Sequence, residues 1–123
     1  MLSRFFLFLS TLISTLGFSL TNQSDDFNPD ISYKLVQEGA VLIDVRSSGE
    51  YASGHVKNAL NIPHTTIEAN KELIKSKVKH SKNKAIVVYC RSGQRSGIAQ
   101  KKLKSLGFKK VVNHGSYKTW KKK

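Results

Sequence analysis

The sequence contains one cysteine, and the residues that follow it are suited to nucleophilic chemistry on an anion. The motif is Cys90-Arg91-Ser92-Gly93-Gln94-Arg95-Ser96. Backbone N–H groups that curl inward ahead of a helix carry partial positive charge and bind anions. A thiol in such a loop loses its proton readily and reacts as a thiolate. The motif favours a nucleophile over an inert buried cysteine, which would gain nothing from two neighbouring arginines.

A buried strand and an amphipathic helix are predicted on either side of this loop. Ala85 to Tyr89 is an uninterrupted apolar run, typical of a strand covered on both faces. From Ser96 to Leu106, the apolar residues Ala99 and Leu103 recur with helical spacing. The cysteine is therefore predicted to lie where a strand ends and a helix begins.

A second buried strand, Val41 to Ile43, leads into Asp44-Val45-Arg46. A carboxylate at the end of a buried strand is costly unless it is paired. Either Arg46 or the N–H groups of the following loop could be the partner of Asp44. Ser47 and Glu50 have the spacing of a capping box, which predicts a short helix over 48–52.

Strands and helices alternate along the rest of the chain. This alternation predicts an α/β fold, a small parallel sheet flanked by helices on both faces. In such sheets ligands bind beyond the carboxyl ends of the strands, where Cys90 and Asp44 both fall. The other predicted elements are helices at 31–38 and from Thr65 or Thr66 to about Lys79, strands at 59–63 and 111–112, a turn at 114–116, and a short helix carrying Tyr117 and Trp120.

Neither a metal nor a cofactor is expected. The histidines are too dispersed to predict a metal site, and a structural hydrogen-bonding role is favoured for His55. The net charge is +13, from 21 Lys and Arg against 8 Asp and Glu. A lysine-rich solvated surface is the simplest interpretation of this charge, and attraction of anionic substrates is the functional alternative. Nucleic acid is not expected as a partner because no basic motif is interleaved with aromatic residues.

The first residues have the pattern of a secretory signal peptide. Arg4 precedes an uncharged, mostly apolar run from Phe5 to Leu20, and small residues permit cleavage after Ser19. We therefore expect an exported protein, most simply in a bacterial periplasm. The alternative is an uncleaved segment that anchors the chain to a membrane. The predicted organisation is a signal peptide at 1–19, a linker at 20–28, a single domain at 29–120 and a basic tail at 121–123.

Two stretches of the sequence together resemble a single-domain rhodanese. The first comprises Asp44-Val45-Arg46, Glu50-Tyr51, Gly54-His55-Val56, Ala59 and Asn61-Ile62-Pro63, and the second is Val87 to Ser96. The resemblance extends from about Pro29 to Trp120. Asn58 stands where the family usually has glycine, and Ser116 where a second glycine is common.

The resemblance implies a thiosulfate sulfurtransferase of the rhodanese type. Cys90 would carry sulfur as a persulfide, taken from thiosulfate or a persulfide and passed to cyanide, a thiol or a partner protein. The loop residues Arg91, Ser92, Gly93, Gln94, Arg95 and Ser96 would bind the anionic donor. Scaffold roles are implied for Asp44, Arg46, Glu50 and His55.

Two alternatives share a reactive cysteine in an anion-binding loop. A cysteine phosphatase or arsenate reductase needs arginine six positions after the cysteine, but position 96 is serine and the arginine is Arg95. A persulfide carrier or binding module would use the same loop without turnover. Turnover with small thiols separates that carrier from an enzyme.

Overall fold

The computed structural model describes residues 28–120. The predicted signal peptide at 1–19, the linker as far as residue 27 and the tail at 121–123 lie outside that range. Asn28, assigned from the sequence to the linker, caps the first helix, because its side-chain oxygen accepts hydrogen bonds from the N–H groups of Asp30 and Ile31. None of the helices within 28–120 is long and apolar enough to cross a membrane.

The described residues form the alternating pattern of strands and helices that the sequence predicts. In chain order the elements are α1 (Pro29–Gln37), β1 (Val41–Asp44), α2 (Ser48–Ala52), β2 (Leu60–Asn61), a 3-10 turn (His64–Thr66), α3 (Lys71–His80), β3 (Ile86–Cys90), α4 (Gln94–Ser105), β4 (Val111–Ser116) and a second 3-10 turn (Tyr117–Thr119). The predicted α/β class is confirmed.

The strands pair in the order β2-β1-β3-β4, and every pairing among them is parallel. Asp44 is in register with Tyr89, and Cys90 with Ser116. The carboxyl ends of β1, β3 and β4 therefore meet at one edge of the sheet. The cysteine and the Asp44 carboxylate follow neighbouring strands at this edge, as expected for a ligand site in a parallel sheet.

Apolar side chains cover the sheet on both faces. Successive residues of β3 alternate between two clusters, and all five are fully buried. The cluster on the α3 and α4 side comprises Ile43, Val45, Ile62, Ile67, Ile74, Ile86, Val88, Cys90, Ala99, Leu103 and Val111. The cluster on the α1 side comprises Leu35, Leu42, Ala59, Ala85, Val87, Tyr89 and Val112. Because β3 is buried on both sides, the loop that follows it has a rigid base.

The predicted start of α3 at Thr65 or Thr66 is wrong. The Thr66 hydroxyl donates to the carbonyl of Pro63 at 2.9 Å and closes a 3-10 turn, so it does not cap an α-helix. The turn directs Ile67 into the core, where it is 1% exposed. The α-helix begins only at Lys71, after Asn70.

The turn predicted at 114–116 is also wrong, because β4 continues to Ser116. A register irregularity at Val88/Tyr89 gives β4 one extra residue, so Tyr89 pairs with Gly115. The extra residue, His114, lies in the interior at 2% exposure. The longer strand brings Ser116 beside Cys90, where the sequence had predicted only a turn.

Asn58 has φ of 67°, the single positive φ of a non-glycine residue between 28 and 120. Glycine adopts this left-handed conformation without steric cost, which fits the glycine that the resemblance leads one to expect at this position. Asparagine tolerates it better than other residues because its short polar side chain can hydrogen-bond locally. The departure from the family pattern therefore preserves the turn.

We expect Asn58→Ala to lower the free energy of unfolding by about 1 kcal/mol, the cost of a left-handed residue with an ordinary Cβ. Asn58→Gly should retain the stability of the original chain. Urea denaturation measures both, with Lys57→Ala at the neighbouring exposed position as control. If Asn58→Ala were as stable as the Lys57→Ala control, the left-handed conformation at position 58 would not be strained.

Candidate active site

The Cys90 thiol lies at the C-terminal end of β3, covered by the loop that leads into α4. The N–H of Gly93 donates to Sγ at 2.9 Å, and the hydroxyl of Ser96 lies 3.3 Å from the same sulfur. Gly93 has φ of 101°, and a Cβ there would lie 3.4 Å from the Cα of Gly115. A side chain at position 93 would thus be strained by the positive φ, and its Cβ would contact β4.

Burial raises the pKa of the Cys90 thiol, but hydrogen bonds from Ser96 and from the N–H groups of Gly93 and Ser92 outweigh it, so that the pKa is lowered overall. These donors stabilise the thiolate more than the thiol. The first residues of α4 add the partial positive charge of a helix N-terminus. Backbone N–H groups of Ser92, Gly93 and Ser96 thus point at the sulfur, and anion binding by this loop stays a prediction.

The Asp44 carboxylate is paired with Arg46, one of the two partners that the sequence left open. The guanidinium contacts both carboxylate oxygens, at 2.6 Å for the closest pair, and Asp44 has no exposed side-chain surface. The second partner is present as well, because the N–H of Arg46 donates to Oδ1 at 2.9 Å. Tyr89 adds a hydroxyl at 2.8 Å. The buried charge is therefore fully satisfied.

This buried network also fixes the segment that follows α2. Arg46 donates to the carbonyl of Gly54 at 2.7 Å, and the Tyr89 hydroxyl accepts the N–H of Val56 at 3.1 Å. Burial raises the pKa of Tyr89, so its hydroxyl remains a donor to Asp44. The ring of Tyr117 lies 4.5 Å from the Arg46 guanidinium. These contacts fix the position of the C-terminal end of β3, the strand that ends at Cys90.

The two loop arginines, treated alike in the sequence, have different environments. Arg95 makes a bidentate ion pair with Glu50, at 2.6 and 2.9 Å. Glu50 also completes the predicted capping box with Ser47 at the start of α2. Arg91 is exposed, as are Ser92 and Gln94. The pair between Arg95 and Glu50 therefore fastens the cysteine loop to α2.

His55 makes a hydrogen bond and a ring contact with Tyr51. Its Nδ1 donates to the carbonyl of Tyr51 at 2.8 Å, and its ring stacks on the Tyr51 ring at 3.6 Å between centroids. Tyr51 in turn donates to the carbonyl of Ala59 at 2.7 Å. His55 thus supports the loop between α2 and β2.

A cavity of about 420 Å³ lies beside the cysteine loop; Arg91 lines it but Cys90 does not, and we call it the mouth of the site. The sequence predicted only some of its lining residues as site residues. Tyr117 and Lys118, which follow β4, were not predicted as site residues. The full lining is Arg46, Gly49, Glu50, Ser53, Arg91, Tyr117 and Lys118. The available signal was their position after the last strand of a parallel sheet. A larger groove of about 1020 Å³ lies beside α1, but none of the loop residues 90–96 lines it.

The geometry and the comparisons point to the same family. Residues 28–123 match the family model for the rhodanese-like domain. The chain belongs to the rhodanese-like domain family. Within residues 28–120, no group of histidine, cysteine and acidic side chains is arranged to hold a metal ion.

Solved structures similar to this rhodanese-like domain include sulfurtransferases. A rhodanese with anions from E. coli is 32% identical, with a TM-score of 0.57, over 64% of this chain and 88% of that one. The human single-domain sulfurtransferase TSTD1 is 29% identical, with a TM-score of 0.60, over 76% of this chain and 91% of that one. The predicted resemblance to single-domain rhodaneses is confirmed.

Curated relatives of this rhodanese-like domain include longer proteins with another named activity. The tRNA uridine(34) hydroxylase of Buchnera aphidicola is 37% identical over 82 residues, which is 67% of this chain and 26% of the relative. That of Wigglesworthia glossinidia is 35% identical over 99 residues, covering 30% of the relative. The chain therefore spans less than a third of the length of these relatives.

The contact between Glu50 and Arg95 predicts a pH-dependent contribution to stability. Hydrogen bonds from Arg95 lower the pKa of Glu50 to about 2, against an ordinary value of 4.5. A carboxyl group with a lowered pKa stabilises the folded state above its ordinary pKa, and the contribution is lost as the pH falls towards 2. Glu50→Gln should therefore lower the free energy of unfolding at pH 7 by about 0.5–1 kcal/mol.

The difference between Glu50→Gln and the original chain should shrink as urea denaturation is repeated from pH 5 down to pH 2.5. The control is Glu72→Gln, because Glu72 is 85% exposed and its nearest cation, that of Lys75, is 4.0 Å away. Equal losses in the two variants would show that the ion pair with Arg95 adds no stability.

Proposed function

We propose that this rhodanese-like domain is a sulfurtransferase that carries sulfur on Cys90 as a persulfide. The observation that carries the proposal is the Gly93 N–H, 2.9 Å from a sulfur whose pKa the loop lowers. A thiolate is the form of cysteine that attacks sulfur. The proposed donor is thiosulfate or another persulfide, and the proposed acceptor is cyanide or a thiol.

With thiosulfate, the Cys90 thiolate attacks the outer sulfur of the donor. The new bond joins Sγ to that sulfur, the S–S bond of thiosulfate breaks, and sulfite leaves with the electron pair. Cyanide then attacks the outer sulfur of the persulfide, which releases thiocyanate and regenerates the thiolate. No proton transfer is required, so a separate general base is unnecessary.

The loop supports this chemistry by stabilising negative charge. The outer sulfur of the persulfide is anionic, and the N–H groups of Ser92 and Gly93 are the available donors, as in an oxyanion hole. Cys90 has no exposed surface in this structure. The loop must therefore shift outward for a donor to reach Sγ, and the mouth cavity lies on the side where Arg91 meets α2.

Phosphate-ester or arsenate chemistry is less well supported. An enzyme of that type needs an arginine that is free to hold the oxyanion. Arg95 is one position too early in the loop, and both of its terminal nitrogens are bound by Glu50. The hydroxylation named for the longer relatives is not carried over either, because the shared region is about a quarter of their length.

The test is the intact mass of the purified chain after incubation with thiosulfate, and again after cyanide is added. Gain of one sulfur, then its loss with thiocyanate formed over many cycles, is the expected result. Gain without discharge to cyanide or thiols would favour the carrier alternative. If thiosulfate adds no sulfur to the chain, a persulfide and mercaptopyruvate are tested next as donors. No gain of mass with any of the three donors would overturn the proposal.

A further inference from the structure

The cations at the mouth of the site divide into two that are neutralised and two that are not. Arg46 is paired with Asp44, and Arg95 with Glu50. Within residues 28–120, no carboxylate lies within ion-pair distance of Arg91 or Lys118, although both line the mouth cavity. The positive charge that remains to attract an anion at the mouth therefore comes from Arg91 and Lys118.

One hydroxyl holds these two residues beside each other. Ser116 donates to the carbonyl of Arg91 at 2.7 Å and accepts the N–H of Lys118 at 3.2 Å. Ser116 is in register with Cys90 on the neighbouring strand. The Ser116 side chain thus joins the cysteine loop to the segment that carries Lys118.

The unpaired cations and the size of the cavity suit a co-substrate that is larger than a small sulfur donor. The anion-binding N–H groups surround Sγ beneath the loop, whereas Arg91 and Lys118 line a separate space of about 420 Å³ at its entrance. An anionic group on a larger co-substrate would fit this space, and its reactive atom would reach the sulfur once the loop has shifted outward. Charge complementarity would then discriminate among acceptors.

We propose that Lys118, together with Arg91, is a specificity-determining residue that selects sulfur acceptors carrying a carboxylate beside the thiol. This inference rests on the proposed function. In the step concerned, the proton of the acceptor thiol passes to the anionic outer sulfur of the Cys90 persulfide, and the resulting thiolate bonds to that sulfur. The S–S bond breaks, Cys90 leaves as a thiolate, and the acceptor departs as its own persulfide with the proton on the transferred sulfur.

The test measures single-turnover discharge of the full chain after loading with thiosulfate and removal of excess donor. Mercaptosuccinate serves as the anionic thiol and 2-mercaptoethanol as the neutral one. The readout is the second-order rate constant for mercaptosuccinate divided by that for 2-mercaptoethanol. This ratio is compared between variants so that the intrinsic nucleophilicity of each thiol cancels. Lys118→Gln should lower the ratio by up to about fivefold, the upper range for an exposed ion pair, and Lys118→Glu should lower it further.

The matched control is Lys109→Gln, which removes the same charge from an exposed lysine preceding β4, at the other end of the sheet. A ratio unchanged in Lys118→Gln, or lowered equally in Lys109→Gln, would overturn the specificity role. A chain that never gains sulfur would contradict the proposed function and the subsite together. A chain that gains sulfur and transfers it to the two thiols without preference would contradict only the specificity role of Lys118 and Arg91.

Discussion

We expect Cys90→Ser to abolish sulfur loading and turnover while the fold remains intact. A serine hydroxyl cannot form a persulfide, and its oxygen is not ionised near neutral pH. The smaller oxygen can still accept the N–H of Gly93, which now donates to Sγ at 2.9 Å. Intact mass after thiosulfate and thiocyanate release after cyanide are the measurements, with thermal unfolding to establish that the variant is folded.

A second variant tests whether turnover requires the loop around the thiol or only the presence of a thiol in the chain. Ser105 is the last residue of α4 and is exposed, so Cys90→Ser with Ser105→Cys keeps one cysteine outside the loop. We expect no turnover from it, because the C-terminal end of a helix disfavours a thiolate. Turnover in either variant would sink the assignment of Cys90.

The lowered pKa of Cys90 also predicts how the rate of sulfur loading depends on pH. Because hydrogen bonds from Ser96, Gly93 and Ser92 outweigh burial and lower the pKa of Cys90, the thiolate persists below the ordinary thiol pKa of about 8.5. The loading rate should therefore begin to decline at a lower pH than it would for an ordinary thiol. A rate that tracks an ordinary thiol would show that the loop does not activate the sulfur.

The parts of this site that are local in sequence could be predicted from it. Cys90 follows an apolar run directly, Arg46 is two residues from Asp44, and Ser47 is three from Glu50. Strand ends and helix caps depend on such neighbours, so the sequence reveals them. The parallel sheet follows from the alternation of elements, which brings the strand ends to one edge.

The parts that depend on distant pairs could not be predicted. Arg95 and Glu50 are 45 residues apart, and the sequence does not indicate that this arginine is neutralised while Arg91 is free. The place of Lys118 at the mouth depends on the extra residue in β4, which extends that strand to Ser116. Such side-chain partners are set by packing between elements and not by spacing along the chain.

The largest expected effect on stability is that of Arg46→Met. Asp44 has no exposed side-chain surface, and the variant leaves its charge with only neutral hydrogen-bond donors. Breaking a buried ion pair from one side costs about 3–5 kcal/mol, a large part of the stability of a small domain. The midpoint of thermal unfolding should fall by about 15–30 °C. Arg91→Met, at an exposed arginine of the same site, is the control for stability and should change little.

Removing both charges should cost less than removing one. In the double variant Asp44→Asn with Arg46→Met, the asparagine oxygen can still accept the N–H of residue 46, which now bonds Oδ1 at 2.9 Å, and no buried charge remains. We expect the double variant to be more stable than Arg46→Met alone, because the penalty of the single change is the uncompensated carboxylate. Equal stabilities would mean that Arg46 acts through its contacts with Gly54 and Tyr117 and not through its charge. The strand that presents Cys90 would then depend on packing at the end of α2, and the buried ion pair would be incidental to the site.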